Sequence, residues 1–233
     1  MQPKSEVFNI DCLEYMRGLP DNAFDLAVAD PPYGIGEDGA KNHTRGSMAK
    51  PRMYTPKEWD KAAPSAKFFR ELFRVSRNQI IWGANHFIES MPRQNASCWL
   101  VWDKENGEND FADCELAWTS FPRAVRRFAF RWAGMLQGNM QNKEDRIHPT
   151  QKPVALYAWI YSKFKQTGGT VFDPMMGSQS SRIAAYKMGL DYVGCELDKE
   201  YFDKGCERFE RECLGVIKTS DGHTIKEQTL FDF

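Results

Sequence analysis

The stretch Val171-Phe172-Asp173-Pro174-Met175-Met176-Gly177-Ser178-Gln179-Ser180-Ser181 sets the reading of the whole chain. A short apolar run ends in Asp, a turn of small residues follows, and residues 180–188 carry a helical pattern. The expectation is strand, turn, helix. Such a turn aims backbone N–H groups and a helix N-terminus at one point, which suits a polar ligand. Tyr192-Val193-Gly194-Cys195 then reads as the next strand and ends at Glu196, 23 residues after Asp173. An acid at about that distance commonly accepts hydrogen bonds from ribose hydroxyls. An ordinary strand-helix-strand unit with an acidic cap has the same outline.

The alternation extends in both directions. Residues 153–164 read as a helix with Pro153 at its first position, and Asp198 caps a helix reaching about residue 214. Near the start, residues 7–11 read as a strand and 12–19 as a helix with Leu13 and Met16 on one face. Residues 24–29 form a second strand running into Asp30-Pro31-Pro32-Tyr33. Between these units, 34–55 is a long loop of the kind that is usually functional. Residues 56–77 look helical, 78–83 and 97–102 look like buried strands, and 84–91 a helix between them. Residues 103–113 and 135–147 are polar, with 114–121 and 126–132 the two strands of a hairpin. Strand alternating with helix predicts a doubly wound, Rossmann-like α/β domain over residues 1–214, its sheet mostly parallel. Residues 215–233 form a weakly ordered tail. Ligands of such sheets bind beyond the carboxyl ends of the strands, where Asp30 and Asp173 are both expected.

Composition narrows the function. A chain of 233 residues with 42% hydrophobic residues can bury a core without staples. Its formal net charge of -1 excludes bulk attraction to polyanions, so a nucleic acid would need a local basic surface. The six cysteines form no C-x-x-C pair, which argues against a zinc knuckle and for reduced, scattered thiols. No apolar run is long enough for a membrane span, and the first residues lack a signal-peptide pattern, so the expected location is the cytoplasm. No G-x-G-x-x-G follows any strand, which disfavours a nicotinamide dehydrogenase.

Asp30-Pro31-Pro32-Tyr33 is the most specific signal. An exocyclic amine on a nucleobase is a poor nucleophile because its lone pair is delocalised into the ring. The Asp30 carboxylate and the Pro31 carbonyl can each accept one of its N–H groups and draw the nitrogen towards tetrahedral geometry. Pro31 and Pro32 fix the backbone and remove competing donors, and Tyr33 offers an extracted base a stacking face. A proline-rich turn after a strand looks similar by chance.

With these residues in place, the chain resembles the DNA amino-methyltransferases that carry Asp-Pro-Pro-Tyr. It is most similar to the β-class order, catalytic motif before cofactor motif, and to the short members found in phages and mobile elements. The resemblance covers about the first 35 residues and 148–214 strongly. Between them, Trp82-Gly83-Ala84-Asn85 and Trp102-Asp103-Lys104 look family-like. His148-Pro149-Thr150-Gln151-Lys152-Pro153 is a further family motif. The resemblance implies a circularly permuted, seven-stranded methyltransferase fold that binds S-adenosylmethionine and double-stranded DNA and acts on adenine N6. It implies an amine clamp of Asp30, Pro31, Pro32 and Tyr33. Asp173, Pro174, Gly177 and Ser178 would cradle the cofactor, Glu196 would bind its ribose, Asp11 would lie near its adenine, and Lys152 near its methionine tail. The chain departs from the family at Met175, usually Phe, and at Gln179, usually Gly. Gln179 is a puzzle if that position needs positive φ.

Target recognition falls to residues 34–55, with Lys41, Arg45 and Arg52, and to 103–147. There Arg123, Arg126, Arg127 and Arg131 interleave with Phe121, Phe128, Phe130 and Trp132. As a strand, Arg127 and Arg131 share one face, suited to phosphates, and the aromatic residues share the other. A half-buried outer strand gives the same pattern. β-class relatives often form homodimers. Gln228-Thr229-Leu230-Phe231 resembles the short peptide that bacterial replication proteins dock on the sliding clamp, and packing on the protein's own surface is the alternative. Competing readings are methylation of cytosine N4, methylation of RNA or of protein amides, and an inert DNA-binding module of the same fold. The absence of a Pro-Cys dipeptide argues against methylation at cytosine C5.

Overall fold

The computed structural model describes residues 2–36, 60, 62–107, 112–133, 136–164, 169–218 and 224–226. In chain order the elements are β1 (Ser5–Phe8), α1 (Cys12–Arg17), β2 (Phe24–Ala29), α2 (Ala66–Val75), β3 (Ser76–Trp82), β4 (Trp99–Asp103), β5 (Cys114–Thr119), β6 (Arg126–Ala129), β7 (Trp132–Ala133), β8 (Leu136–Gln137), α3 (Val154–Phe164), β9 (Thr170–Asp173), α4 (Ser180–Lys187), β10 (Asp191–Cys195), α5 (Lys199–Leu214), β11 (Val216–Lys218) and β12 (Thr224–Lys226).

Period-two alternation sorts the strand side chains onto two faces. Leu26, Val28, Ile80, Trp82, Val171 and Tyr192 pack against α3 and α4 through Leu156, Ile160, Tyr161 and Ala184. Their neighbours Ala27, Ala29, Ile81, Phe172 and Cys195 face the other way, onto Met16 of α1 and Phe69 and Leu72 of α2. Both faces of the central strands are thus covered, which is why these strands read as continuous apolar runs. On α2, Phe68, Phe69, Leu72 and Val75 form one buried stripe at helical spacing.

The sheet order is β1-β10-β9-β2-β3-β5-β4-β6. The pairings run parallel from β1 through β10, β9 and β2 to β3, and again between β4 and β6; β5 alone is reversed. From β9 the chain leaves through α4 to β10, and from β2 through α2 to β3. The crossovers diverge between β9 and β2, and such a switch point leaves a crevice for a ligand.

Several expectations change. The sheet has eight strands rather than seven, because β6 adds to β4 in parallel instead of closing a hairpin with β5. Both edges of β5 are already taken, by β3 and β4. The strand expected over 7–11 is Ser5–Phe8, since the Asp11 carboxylate accepts the Leu13 and Glu14 N–H groups and starts α1. Residues 84–91 form two short 3-10 turns rather than a helix, separated at Phe87, which lies outside helical geometry. The helix expected over 56–77 is Ala66–Val75, residues 56–59 lying outside the described set. The tail, read from its sequence as weakly ordered, contains a short antiparallel pair of β11 and β12. Among the described residues no helix is long and apolar enough to cross a membrane.

Candidate active site

Because β5 is reversed, its first residues lie at the same sheet edge as the last residues of the other strands. Along that edge come Glu196 after β10, Asp173 on β9, Asp30 after β2, Gly83 after β3, Glu115 on β5, Lys104 after β4 and Arg131 after β6. At about 4.8 Å per strand, Glu196 and Asp30 are about 10 Å apart along the edge, and Asp30 and β6 about 19 Å.

Asp30 sits in a cluster of four charges. Lys152 donates to Asp30 Oδ1 at 2.5 Å, and the Tyr33 hydroxyl donates to the same oxygen at 2.9 Å. Lys152 also lies 3.0 Å from Tyr33 Oη and 3.1 Å from Glu115 Oε2. Lys104 holds the other Glu115 oxygen at 2.5 Å. The Lys152 ammonium is buried between the Tyr33 ring at 5.4 Å and the Trp82 ring at 5.6 Å. Among the described residues no donor reaches Asp30 Oδ2. The Tyr33 ring lies on Gly83, where a Cβ would come 2.1 Å from Cε1, and Gly83 has φ +67°. His86 stacks on the same ring at 5.1 Å.

The electrostatics follow from burial. Removal from water pushes Asp30 up, Lys152 opposes it, Glu115 adds to it, and the net direction is up. Burial would also raise Glu115, but Lys152 and Lys104 together pull it down to about 2. Burial lowers Lys152 while Asp30 and Glu115 raise it, and the carboxylates prevail. The buried Tyr157 of α3 is held well above its ordinary range, by burial and then by Asp30 and Asp173, so its ring stands within electrostatic reach of both.

On the other side of the switch point, Asp173 is buried with no cation beside it among the described residues. Its oxygens accept from Met175 N at 3.0 Å and Ser181 Oγ at 2.5 Å. Burial still pushes it up to about 7 against those two hydrogen bonds. Glu196 is fixed by two backbone donors, Gly177 N at 2.8 Å and Asp198 N at 2.9 Å. Leu197, directly after it, is the most exposed large apolar side chain described, at 69%. Asp11, capping α1, lies beside this end, since Ile10 N donates to the Glu196 carbonyl.

Gln179 takes the left-handed conformation, φ 59°, at the start of α4. Its side chain is fully buried, accepting from Arg182 Nη1 at 2.9 Å and donating to the Phe202 carbonyl at 3.2 Å. Gly205 makes the room: a Cβ there would come 2.6 Å from Gln179 Nε2. The departure from glycine is therefore matched inside the fold by a second position.

Two internal clamps hold the segment that carries Lys152. Gln151 accepts from Ile147 N and donates to the Asp145 carbonyl, while its own carbonyl accepts from the Trp132 indole. Glu144 pairs with Arg208 of α5 at 2.8 Å, and Arg208, fully buried, also donates to the Ser178 carbonyl and Ser180 Oγ. One guanidinium thus ties the residue 144 loop to the turn that starts α4.

Asp30, Pro31, Pro32 and Tyr33 fall together on one side of the crevice, and Asp173, Pro174, Gly177, Ser178 and Glu196 on the other. Lys152, which the resemblance puts near a cofactor's methionine tail, has its ammonium bridging Asp30 and Glu115. Of the basic residues, Arg126, Arg127 and Arg131 are exposed, Arg127 paired with Asp103 at 2.8 Å. Arg123 is exposed as well, with its guanidinium engaged by the protein itself, donating to the Lys163 carbonyl and lying over Phe164. Phe128 and Phe130 stack together, and Phe128 packs on Trp159 of α3, the aromatic face expected. Lys41, Arg45, Arg52 and residues 228–231 lie outside the described set. Sequence reasoning missed Glu115, Tyr157 and Leu197; the apolar residues flanking Glu115 and the acid before Leu197 were the only signals.

Residues 101–207 match the N6/N4 family model described as DNA methylase. That span includes Lys104, Glu115, Lys152, Asp173 and Glu196, but not Asp30. The type II methyltransferase M2.MboI of Moraxella bovis is 25% identical, over 95% of this chain and 94% of its own. Among solved structures, a DNA modification methylase of Thermus thermophilus complexed with S-adenosyl-L-methionine has a TM-score of 0.58 at 17% identity, covering 91% and 95% of the two chains. The cytosine-N4-specific PvuII DNA methyltransferase has a TM-score of 0.56 at 11% identity, covering 89% and 87%. The family model and the sequence relatives point the same way: this chain is similar to DNA methylases, and the solved structures show that it shares their fold.

Proposed function

We propose that this protein is a DNA methyltransferase that transfers a methyl group from S-adenosylmethionine to N6 of adenine at a specific site. The observation that carries the reading is the Asp30 carboxylate, with Oδ1 anchored and Oδ2 without a donor among the described residues. The target base is taken out of the duplex. Its amine gives one N–H to Oδ2 and the other to the Pro31 carbonyl, which frees the nitrogen lone pair without a covalent intermediate.

The opposite half of the crevice fits S-adenosylmethionine. Asp173 is a buried carboxylate with no cation of its own among the described residues, and this cofactor is cationic. Glu196, with its lone pairs oriented by two backbone N–H groups, suits ribose hydroxyls, and the bare Leu197 beside it suits an apolar ring. Gly177, Ser178 and Pro174 would line the turn, and Asp11 the adenine end. When bound, the cofactor supplies an electrophilic methyl on a sulfonium. The protein's own residues orient the amine and keep water away.

Arg131, about 19 Å along the edge from Asp30, with Arg126 and Arg127 further back on β6, would hold DNA phosphates while one base reaches the crevice. The test is transfer of labelled methyl to unmethylated genomic DNA, with nucleoside analysis. N6-methyladenine is expected. N4-methylcytosine, the product class of the PvuII neighbour, would keep the clamp and change the base. Bound cofactor with no transfer would reduce the protein to an inert module of the fold.

A further inference from the structure

Asp30 can clamp an amine only as an acceptor, and it is a buried acid at the edge of an apolar core. Left alone there it would take up a proton and lose that role. The groups facing it come from five elements. They are Lys152 before α3, Tyr33 on its own loop, Glu115 on β5, Tyr157 on α3 and Asp173 on β9. Only Lys152 is a cation. Lys104 is spent on the far oxygen of Glu115.

We propose that Lys152, steadied by Glu115, is a positioning residue that keeps Asp30 a charged acceptor and turns its Oδ2 towards the target amine. The inference rests on Asp30 being the amine acceptor. The geometry supports it in three ways. Lys152 and Tyr33 converge on one oxygen, Oδ1, which fixes the carboxylate plane and spares the other oxygen. Glu115 lies 3.1 Å from the same ammonium and draws it away from the crevice, so Lys152 is not free to follow an arriving amine. The aromatic rings of Tyr33 and Trp82 flank the ammonium, and the Gln151 clamps hold the backbone next to it. Two carboxylates and two ammonium groups make the cluster neutral. Without Lys152 it carries an excess negative charge, and Glu115 keeps Lys104, so the proton goes to Asp30.

The test uses the whole chain and has two readouts. The first needs neither DNA nor cofactor: titration of 13C-labelled Asp carboxyls by NMR, with the Asp30 signal identified by its loss in Asp30→Asn. In Lys152→Met the Asp30 midpoint is expected to rise by about one to three pH units. In Glu115→Gln, which removes a negative neighbour, it is expected not to rise. The second is the single-turnover transfer rate against pH, with S-adenosylmethionine affinity measured separately. Lys152→Met should move the acid limb upwards and regain rate at alkaline pH, while cofactor affinity changes little. Lys152→Arg, which keeps the charge, should keep the limb near that of the wild type. An unmoved Asp30 midpoint in a folded Lys152→Met protein would overturn the proposal. So would a loss confined to cofactor affinity, which would return Lys152 to a cofactor's tail. Absence of transfer by the wild-type protein would instead remove the reading of the site itself.

Discussion

Gln179 offers a quantitative check on how the start of α4 is built. Its backbone lies at φ 59°, where a side chain costs about 1 kcal/mol relative to glycine. Its buried amide makes two good hydrogen bonds, to Arg182 and to the Phe202 carbonyl, worth about 1 kcal/mol each. Gln179→Ala keeps the backbone strain, loses both bonds and leaves a cavity against Gly205. The expected cost is about 3 kcal/mol. Gln179→Gly suffers the same losses but relieves the strain, so its cost is about 2 kcal/mol. The glycine variant should therefore melt about 2–4 °C above the alanine variant. Gly205→Ala alone should destabilise, because its Cβ would come 2.6 Å from Gln179 Nε2. Combined with Gln179→Gly it should stabilise, since the clash is gone and alanine favours helix by about 1 kcal/mol. Thermal and urea unfolding measure all four proteins. If Gln179→Ala is as stable as Gln179→Gly, the backbone there is not strained. If Gly205→Ala is harmless in the wild-type background, the amide does not need that space.

Other consequences concern the reaction. Asp30→Ala should leave S-adenosylmethionine binding nearly intact and lower transfer by about 10²–10⁴-fold; equal loss of both in binding and single-turnover assays would refute its role. Asp173 is held at about 7 and must be ionised to attract a cation. Cofactor affinity should fall about tenfold per pH unit below that value and level off above it, while Asp173→Asn should bind more weakly with no such dependence, as calorimetry at several pH values would show. Removing Arg127 and Arg131 to alanine should weaken DNA binding across sequences and reduce the salt slope by about one per residue. An unchanged slope would move the DNA face elsewhere.

The two halves of the crevice were legible for a shared reason. Asp30, Asp173 and Glu196 each end an apolar strand, so a parallel sheet brings them to one edge without further information. Glu115 was not legible. It stands at the beginning of β5, and only the reversal of that strand carries it to the carboxyl edge. Its pairing with Lys104 depends on the register in which Asp103 lies opposite Cys114. Lys152 was visible as part of a motif, but its partner is 122 residues away and spacing cannot supply that contact. Arg208 carries no signal in the sequence, and is buried because the residue 144 loop and the turn that starts α4 both close on it. The sheet count failed at β6 for the related reason that alternation in a strand does not say which neighbour it joins.

What joins these cases is where the chain breaks the ordinary rules of a stable core. Gln179 takes a glycine conformation. Asp30, Glu115, Lys104 and Lys152 pack charges at the edge of the hydrophobic core, where apolar residues of similar volume are often as stable or more so. The Trp82 indole N–H is buried without a partner among the described residues, beside the Lys152 ammonium. Asp173 is buried without a cation among those residues. The strained backbone, the buried charges and the unpaired indole are each unfavourable taken alone, though at Gln179 the side chain's hydrogen bonds more than offset the strain, and all lie along one edge of the sheet, around the point where the crossovers diverge. A sequence whose departures from local consistency gather in this way is one whose constraints at that edge come from a reaction as well as from folding. The charge cluster should behave accordingly. Replacing Asp30 and Lys152 together, as Asp30→Leu with Lys152→Met, removes a buried pair whose desolvation offsets much of its attraction. Unfolding should show a protein no less stable than the wild type that transfers no methyl group. A double variant that unfolds readily would mean that the cluster holds the fold, and that its place at the crevice is incidental.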